Sequence, residues 1–477
     1  MPLAATQTRQ AFDLGQTIAL SGSTIEHERI DLMHAHIVGA TASEIADSVR
    51  SAIESGVLPP GAILPPVRSL AADLGVNRNT VVAAYRHLAQ SGLVIARGRG
   101  GTRVTARRLV AQEGFAPDSA LRDVGTGNPD PARIPDPSRA LARAAGRPVL
   151  YGEPVIDPGL ESWAEAWMSD ATCAARSRLT ITSGAADAVE RLLAQALTRD
   201  DAVGLEDPCF LTSIHTVRLG GYRPIAIACD DSGMTVDGLR AAIAEGARAI
   251  ICTPRAQNPS GASLTAERAD QLRELLADHP YLLVIEDDHF SMLSRRTFHS
   301  VVPPGHRRWA LVRSVSKFLG PDMCLAVTSS DPETASRLAL RLTPGTTWVS
   351  HLLQRLVHAL MIDPEVHAAI ADAAEHYAAR NAAFVRRLTS RGIDATESDG
   401  LNLWVDVGVP AADVTIHLMR RGWLARAGDD FVLSPASRPS QRLRLTVHEL
   451  DDRDADRLAG DIADAVEGVR GLSDGVA

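Results

Sequence analysis

The chain has 477 residues, 45% of them hydrophobic, and a net charge of −9. That length predicts two or three domains with sizeable cores, and the apolar content excludes wholesale disorder. No run of about 18 apolar residues appears, and the acidic balance excludes a protein that coats nucleic acid along its whole length.

The charge is uneven. Residues 41–110 carry nine arginines against Glu44, Asp47, Glu54 and Asp73, so a basic segment precedes an acidic body. That asymmetry points to a nucleic-acid module joined to something else. The five cysteines are scattered and none forms a C-x-x-C pair. Cytoplasmic residence is expected, with no disulfide framework and no metal site. Residues 1–20 show no secretory signal. Residues 1–40 form an N-terminal extension to which no function attaches.

In chain order, Ser43 is expected to cap a first helix, with Ile45, Val49 and Ile53 on one face and Gly56 as the stop. A turn-rich break through Pro59-Pro60-Gly61 and Leu64-Pro65-Pro66 leads to a short helix with Leu70 and Leu74 that ends at Gly75. Asn77 caps a third helix, with Val81, Tyr85 and Leu88 as its apolar stripe and Arg78, Asn79 and Thr80 at its start. Helix, tight turn, helix is the arrangement whose second helix reads a major groove with its first residues. Two short strands around Arg97-Gly98-Arg99-Gly100-Gly101 make a wing suited to a phosphate backbone.

The stretch from Gly56 to Leu93 resembles the winged helix-turn-helix of GntR-type transcription regulators. The resemblance rests on Leu64-Pro65-Pro66-x-Arg68-x-Leu70-Ala71, Leu74-Gly75-Val76-x-Arg78-Asn79-Thr80-Val81, Ala84-Tyr85-x-x-Leu88 and Gly92-Leu93. It implies that Arg68, Arg78, Asn79, Thr80, Arg97 and Arg99 touch double-stranded DNA. A polar tether is expected next, over roughly 106–122.

From Gly127 onward, apolar runs alternate with helical stretches, as in an α/β protein. Ala249–Cys252, Leu282–Ile285 and Ala310–Val312 read as buried strands, each followed by a polar loop. Thr182-Ser183-Gly184-Ala185-Ala186 follows another strand and opens a helix, which suits a phosphate. Asn258, in Gln257-Asn258-Pro259-Ser260-Gly261, offers an amide in a rigid turn. Asp287, at a strand end, could hold a pyridinium nitrogen protonated.

Lys317 follows Ser314 and Ser316, and it is the only lysine in a chain with 49 basic residues. Arginine stays protonated, whereas a desolvated primary amine can attack a carbonyl, so an imine chemistry explains the exception. Its partner is a substrate carbonyl or pyridoxal phosphate.

The order of these motifs resembles the aminotransferases of fold type I, over roughly residues 123–470. Joined to the GntR-like head, the chain resembles the MocR subfamily of regulators. The resemblance implies a multidomain fold: a mainly α winged helix-turn-helix (41–105), a linker (106–122), and an α/β body with a small α+β subdomain (123–472). It implies pyridoxal 5′-phosphate held as an imine by Lys317. Asp287 would pair with the ring nitrogen, Asn258 with the 3′ oxygen, and Phe210 would stack on the ring. Ser183, Gly184, Ala185, Ser314 and Ser316 would bind phosphate, and Tyr151 would reach the phosphate of a partner subunit. Arg444 would clamp an amino-acid carboxylate.

Two positions depart from the family. His289 stands where a tyrosine is frequent, which makes the cofactor contact titratable. Cys324 stands where an arginine often meets the phosphate, a loss of roughly 1.5–3 kcal/mol if uncompensated. The expected function is a homodimeric, cytoplasmic transcription regulator whose body senses pyridoxal phosphate or an amine, with vitamin B6 or amino-acid metabolism as its field. Two alternatives stay open: an aminotransferase carrying a DNA-binding head, and a regulator whose body has lost its cofactor.

Overall fold

The computed structural model describes residues 37–90, 93–96, 101–104, 121–169, 177–342, 347–433 and 439–474. Arg97, Arg99 and most of the expected tether lie outside them. The chain divides into two compact units, Met1–Arg108 and Leu109–Ala477.

In the first unit, helices α1 (Ala42–Glu54), α2 (Val67–Asp73) and α3 (Arg78–Gln90) precede strands β1 (Val94–Ala96) and β2 (Thr102–Val104). The cap of α1 is Thr41, not Ser43. Its hydroxyl accepts from Glu44 N–H, and the Glu44 carboxylate reaches back to the N–H of Thr41, a reciprocal box that Ser43 cannot make. Asn77 caps as expected: its side-chain oxygen accepts from Asn79 N–H at 2.8 Å. Val81, Tyr85 and Leu88 are buried against Ile45, Val49, Leu64 and Leu70. The Tyr85 hydroxyl donates to the Pro65 carbonyl at 2.7 Å, which ties α3 to the Pro-Pro turn. The two strands pair antiparallel, Val94 opposite Val104.

The second unit begins with β3 (Arg122–Asp123), α4 (Ser138–Ala144), α5 (Pro158–Ser169), β4 (Arg178–Thr182), α6 (Ala185–Ala196), β5 (Ala202–Asp207) and α7 (Leu211–Leu219). Then come β6 (Arg223–Asp230), β7 (Gly233–Met234), α8 (Val236–Ala244), β8 (Ala247–Cys252), α9 (Ala266–Ala277), β9 (Leu283–Asp287), β10 (Trp309–Ser314) and β11 (Ala326–Ser330). One sheet runs β4-β11-β10-β9-β8-β5-β6-β7. Neighbours from β10 through β9, β8 and β5 to β6 are parallel, while β11 runs antiparallel to β4 and β10. The polar ends of β4, β5, β8, β9 and β10 therefore share one edge of the sheet.

Alternation along the strands decides which face each residue serves. Leu283 and Ile285 of β9, Ala310 and Val312 of β10, and Ala249 and Ile251 of β8 join a core with Val189 and Leu193 of α6. Val284, Leu311 and Ile250 join the core on the opposite face. Both faces are covered, which explains why these strands read as continuous apolar runs.

The remainder is α10 (Pro332–Leu342), α11 (His351–Met361), α12 (Pro364–Thr389), β12 (Asn402–Asp406), α13 (Ala411–Arg420), β13 (Trp423–Leu424), β14 (Arg426–Ala427), β15 (Arg442–Thr446) and α14 (Asp452–Asp474). A three-stranded sheet β12-β15-β14 packs with α13 and α14 around Trp423 and Leu458. Strand β3 belongs here as well: Arg122 and Asp123 pair with Trp423 and Leu424. The expected tether is thus too long at its far end, because Arg122 already forms a sheet ladder.

Candidate functional site

Asp287 and Ser314, the last residues of β9 and β10, and Thr253, just past β8, continue the alternation of the α6 face and meet Lys317 there. With Ser183, Gly184, Ala185, Phe210, Asn258, His289 and Ser316 they line a cavity of about 230 Å³. Ten of the expected site residues are therefore brought together with Lys317 or are Lys317 itself. The Lys317 Nζ donates to the Gly127 carbonyl at 3.0 Å.

Asp287 is buried, and its Oδ1 has no hydrogen-bond partner. Burial pushes its carboxyl up to about 7, with the Asp288 charge adding to the rise and Lys317 opposing it. A buried acceptor left unpaired costs roughly 1–3 kcal/mol. A protonated ring nitrogen is a donor that would recover that cost, so Asp287 fits the expected cofactor.

Asn258 is also buried, and its Oδ1 accepts from Arg444 Nη1 at 3.2 Å. That contact orients the amide and leaves its NH₂ to donate into the cavity. Burial, with the Lys317 charge adding, pulls the His289 imidazole down to about 4. It is neutral at physiological pH, and its charge follows pH only in the acid range. Gly184, at φ +98°, caps α6 and opens Ser183 and the first turn towards the cavity. The Ser314 hydroxyl lies 3.0 Å from that of Ser316 and accepts from its backbone N–H at 3.2 Å.

Two expected residues do not line this cavity. Tyr151 is 88% exposed, with its ring 5.4 Å from that of Trp348. Arg444 is fully buried, donates to the Gly125 carbonyl, and lies 4.7 Å over the Phe431 ring. A second, separate space beside Lys317, Asn258, His289 and Leu401 is about 10 Å³. That is about the room one water needs.

On the opposite face Asp288 is clamped. Arg255 holds it at 3.0 and 2.6 Å, and Arg313 Nε at 2.9 Å. Burial works against its charge, but the two guanidinium groups outweigh that and hold the carboxyl below its ordinary range. Glu206 and Glu286 share this face, and burial pushes each up to about 7. Sequence reasoning missed the Gly127 carbonyl, the Thr253 position in the cavity wall, and this arginine pair. A lone arginine within the apolar run Leu311-Val312-Arg313 was the available signal, since a buried guanidinium needs a carboxylate nearby.

In the head, Arg68, Arg78 and Asn79 are exposed and Thr80 is half-buried, all at the starts of α2 and α3. No helix among the described residues is long and apolar enough to cross a membrane.

Comparison with known proteins agrees on both parts. Residues 41–104 match the family "Bacterial regulatory proteins, gntR family", and residues 123–462 match "Aminotransferase class I and II". The chain is 45% identical over 431 residues to the vitamin B6 salvage pathway transcriptional repressor PtsJ of Salmonella typhimurium, covering 90% of this chain and 99% of that protein. It is 28% identical over 276 residues to the pyridoxine biosynthesis transcriptional regulator PdxR of Corynebacterium glutamicum, covering 55% of this chain and 59% of that one. A Pyrococcus horikoshii kynurenine aminotransferase structure superposes with a TM-score of 0.65 at 18% identity, covering 74% of this chain and 92% of that one. The α-aminoadipate aminotransferase LysN of Thermus thermophilus gives 0.64 at 20% identity, covering 74% and 94%. These two likenesses show the fold. The chain belongs to the aminotransferase class I and II family in its MocR-type form, a regulator with a GntR-type DNA-binding head and a body of the pyridoxal-phosphate fold.

Proposed function

We propose that this regulator senses pyridoxal 5′-phosphate itself, and that its body is a receptor for the cofactor rather than a site of turnover. The observation that carries the reading is the contrast within the site. The cavity beside α6 has about 230 Å³, while the second space beside Lys317, on its Asn258 and Leu401 side, has about 10 Å³, too little for an amino acid. Arg444, which would be needed for an amino-acid carboxylate, is buried against Asn258 and Gly125. Its work in this reading is to orient Asn258. The names of the regulators PtsJ and PdxR support vitamin B6 supply as the process controlled.

When bound, the cofactor supplies an aldehyde that condenses with a primary amine and a ring that draws electrons from it. Lys317 offers that amine. Asp287 would accept from the ring nitrogen, Asn258 and neutral His289 would hold the 3′ oxygen, and Phe210 would pack on the ring. Ser183, Gly184, Ala185, Ser314 and Ser316 would hold the phosphate. Exposed Tyr151 is free to reach a second copy's site in a homodimer, whose two heads would read two-fold related half-sites. Arg68, Arg78, Asn79, Thr80, Arg97 and Arg99 make the DNA contacts. We assign the head to 41–105, the tether to 106–121 and the body to 122–472, and the whole protein to the cytoplasm.

The test is fluorescence anisotropy on DNA upstream of the protein's own gene, with and without pyridoxal 5′-phosphate. The cofactor should shift the apparent affinity of the wild-type protein and leave Lys317→Ala unmoved. An equal response in both proteins, or sustained transamination of an amino acid with a keto acid, would overturn the reading.

A further inference from the structure

The phosphate end of the cavity is short of positive charge. Among the described residues that line it, Lys317 is the one cation, and its amine is committed to the aldehyde. The other polar groups there are neutral: the hydroxyls of Ser183, Ser314 and Ser316 and the N–H groups at the start of α6. A helix N-terminus offers only about half a positive charge. Here even that is offset. The Asp187 carboxylate sits in the first turn of α6 and accepts from Ser183 N–H at 3.0 Å, occupying a donor a phosphate would use. The nearest guanidinium on the same helix, Arg191, is spent on Asp187 at 2.6 Å and on the Arg341 carbonyl at 2.8 Å.

Cys324 lies just outside this lining and adds no charge beside it. The residue after it, Leu325, accepts from Val315 N–H at 3.1 Å, between Ser314 and Ser316. Strand β11 then starts at Ala326, opposite both Thr182 and Ser314. Position 324 therefore borders the cradle, and it presents an exposed thiol that donates to the Pro321 carbonyl at 3.2 Å.

We propose that the cavity binds the unphosphorylated aldehyde vitamer, pyridoxal, on nearly the same terms as its 5′-phosphate. A dianion gains its largest advantage where a cation meets it; neutral hydroxyl and N–H donors favour it over a hydroxymethyl group by less, and Asp187 cuts into that remainder. The sensor would then respond to the summed pool of pyridine aldehydes. This rests on the reading that Lys317 captures an aldehyde in this cavity.

The experiment titrates the full chain with pyridoxal 5′-phosphate and with pyridoxal, following the absorbance of the Lys317 adduct. The 5′-hydroxyl of pyridoxal adds to its own aldehyde, so its dissociation constant is referred to the free-aldehyde fraction read from the ligand's own absorbance. Dissociation constants within about tenfold of each other are expected. A preference for the phosphate above about a hundredfold overturns the proposal and leaves the Lys317 reading intact. Failure of both ligands to give an adduct sinks the Lys317 reading, and this proposal with it.

Two variants sharpen the result. Cys324→Arg should tighten the phosphate ester by about ten- to a hundredfold and leave pyridoxal nearly unchanged. Asp187→Asn keeps an acceptor for Ser183 while removing the anion, and should shift the same ratio in the same direction by less. If Cys324→Arg does not fold, Asp187→Asn still decides. A ratio unmoved in the variants that fold contradicts a charge-poor cradle.

Discussion

The two faces of the central sheet end in opposite ways at the same edge. On the α6 face, Asp287 finishes β9 with an unpaired buried oxygen and a carboxyl raised to about 7. On the other face its neighbour Asp288 is held by two guanidinium groups and kept below the ordinary carboxylate range. One residue of strand alternation separates a group left unsatisfied from a group satisfied twice. The lesson is that the unsatisfied face is the one reserved for a ligand, while the satisfied face holds the edge rigid behind it.

The largest expected effect breaks the satisfied face. Asp288→Ala leaves Arg255 and Arg313 buried without a counter-charge, and should cost roughly 3–5 kcal/mol in urea denaturation. Asp287→Asn should do the reverse. It removes a charge that burial disfavours, so stability without cofactor stays level or rises, while cofactor affinity falls about ten- to a hundredfold by titration. Arg313→Met is milder than the loss of Asp288, because Arg255 and Asp288 remain as a neutral pair; roughly 1–2 kcal/mol is expected in the same denaturation assay.

The smallest effect is a difference in pH dependence. Asp287 rises from 3.8 to about 7 on folding, so its contribution is fully present below about 4 and is lost as pH climbs through about 7. Glu206 and Glu286, also raised to about 7, act in the same direction. Asp288 is lowered, so its contribution is present above its ordinary value and is lost only at more acidic pH. His289 and His448, both pulled down to about 4, act in the opposite direction, so the prediction is a difference: from pH 4 to 7 the denaturation midpoint of cofactor-free Asp287→Asn should decline less than that of the parent protein. An unchanged decline in this variant would contradict the assignment of Asp287 to the unsatisfied face.

Much of this was legible in the residues. A single lysine among 49 basic side chains marked the centre of the site, and strand-end polar loops marked its rim. The head was readable because its apolar stripe and turn residues are local. Long-range pairing was not readable. Arg255 and Asp288 are 33 residues apart, and the Gly127 carbonyl is 190 residues from Lys317. Nor could the short run Arg122-Asp123 be separated from a polar tether, because its partner strand comes some 300 residues later. The cap of α1 was misplaced by two residues, since Thr41 and Ser43 are both good caps and only Glu44 decides between them.

The most direct test is borohydride reduction of the protein incubated with pyridoxal 5′-phosphate, followed by peptide mass mapping. One phosphopyridoxyl group per chain, carried by Lys317 and lost in Lys317→Ala, is the predicted result. No adduct, or one confined to the N-terminal amine, would contradict the claim that the lone lysine is the sensor's covalent anchor.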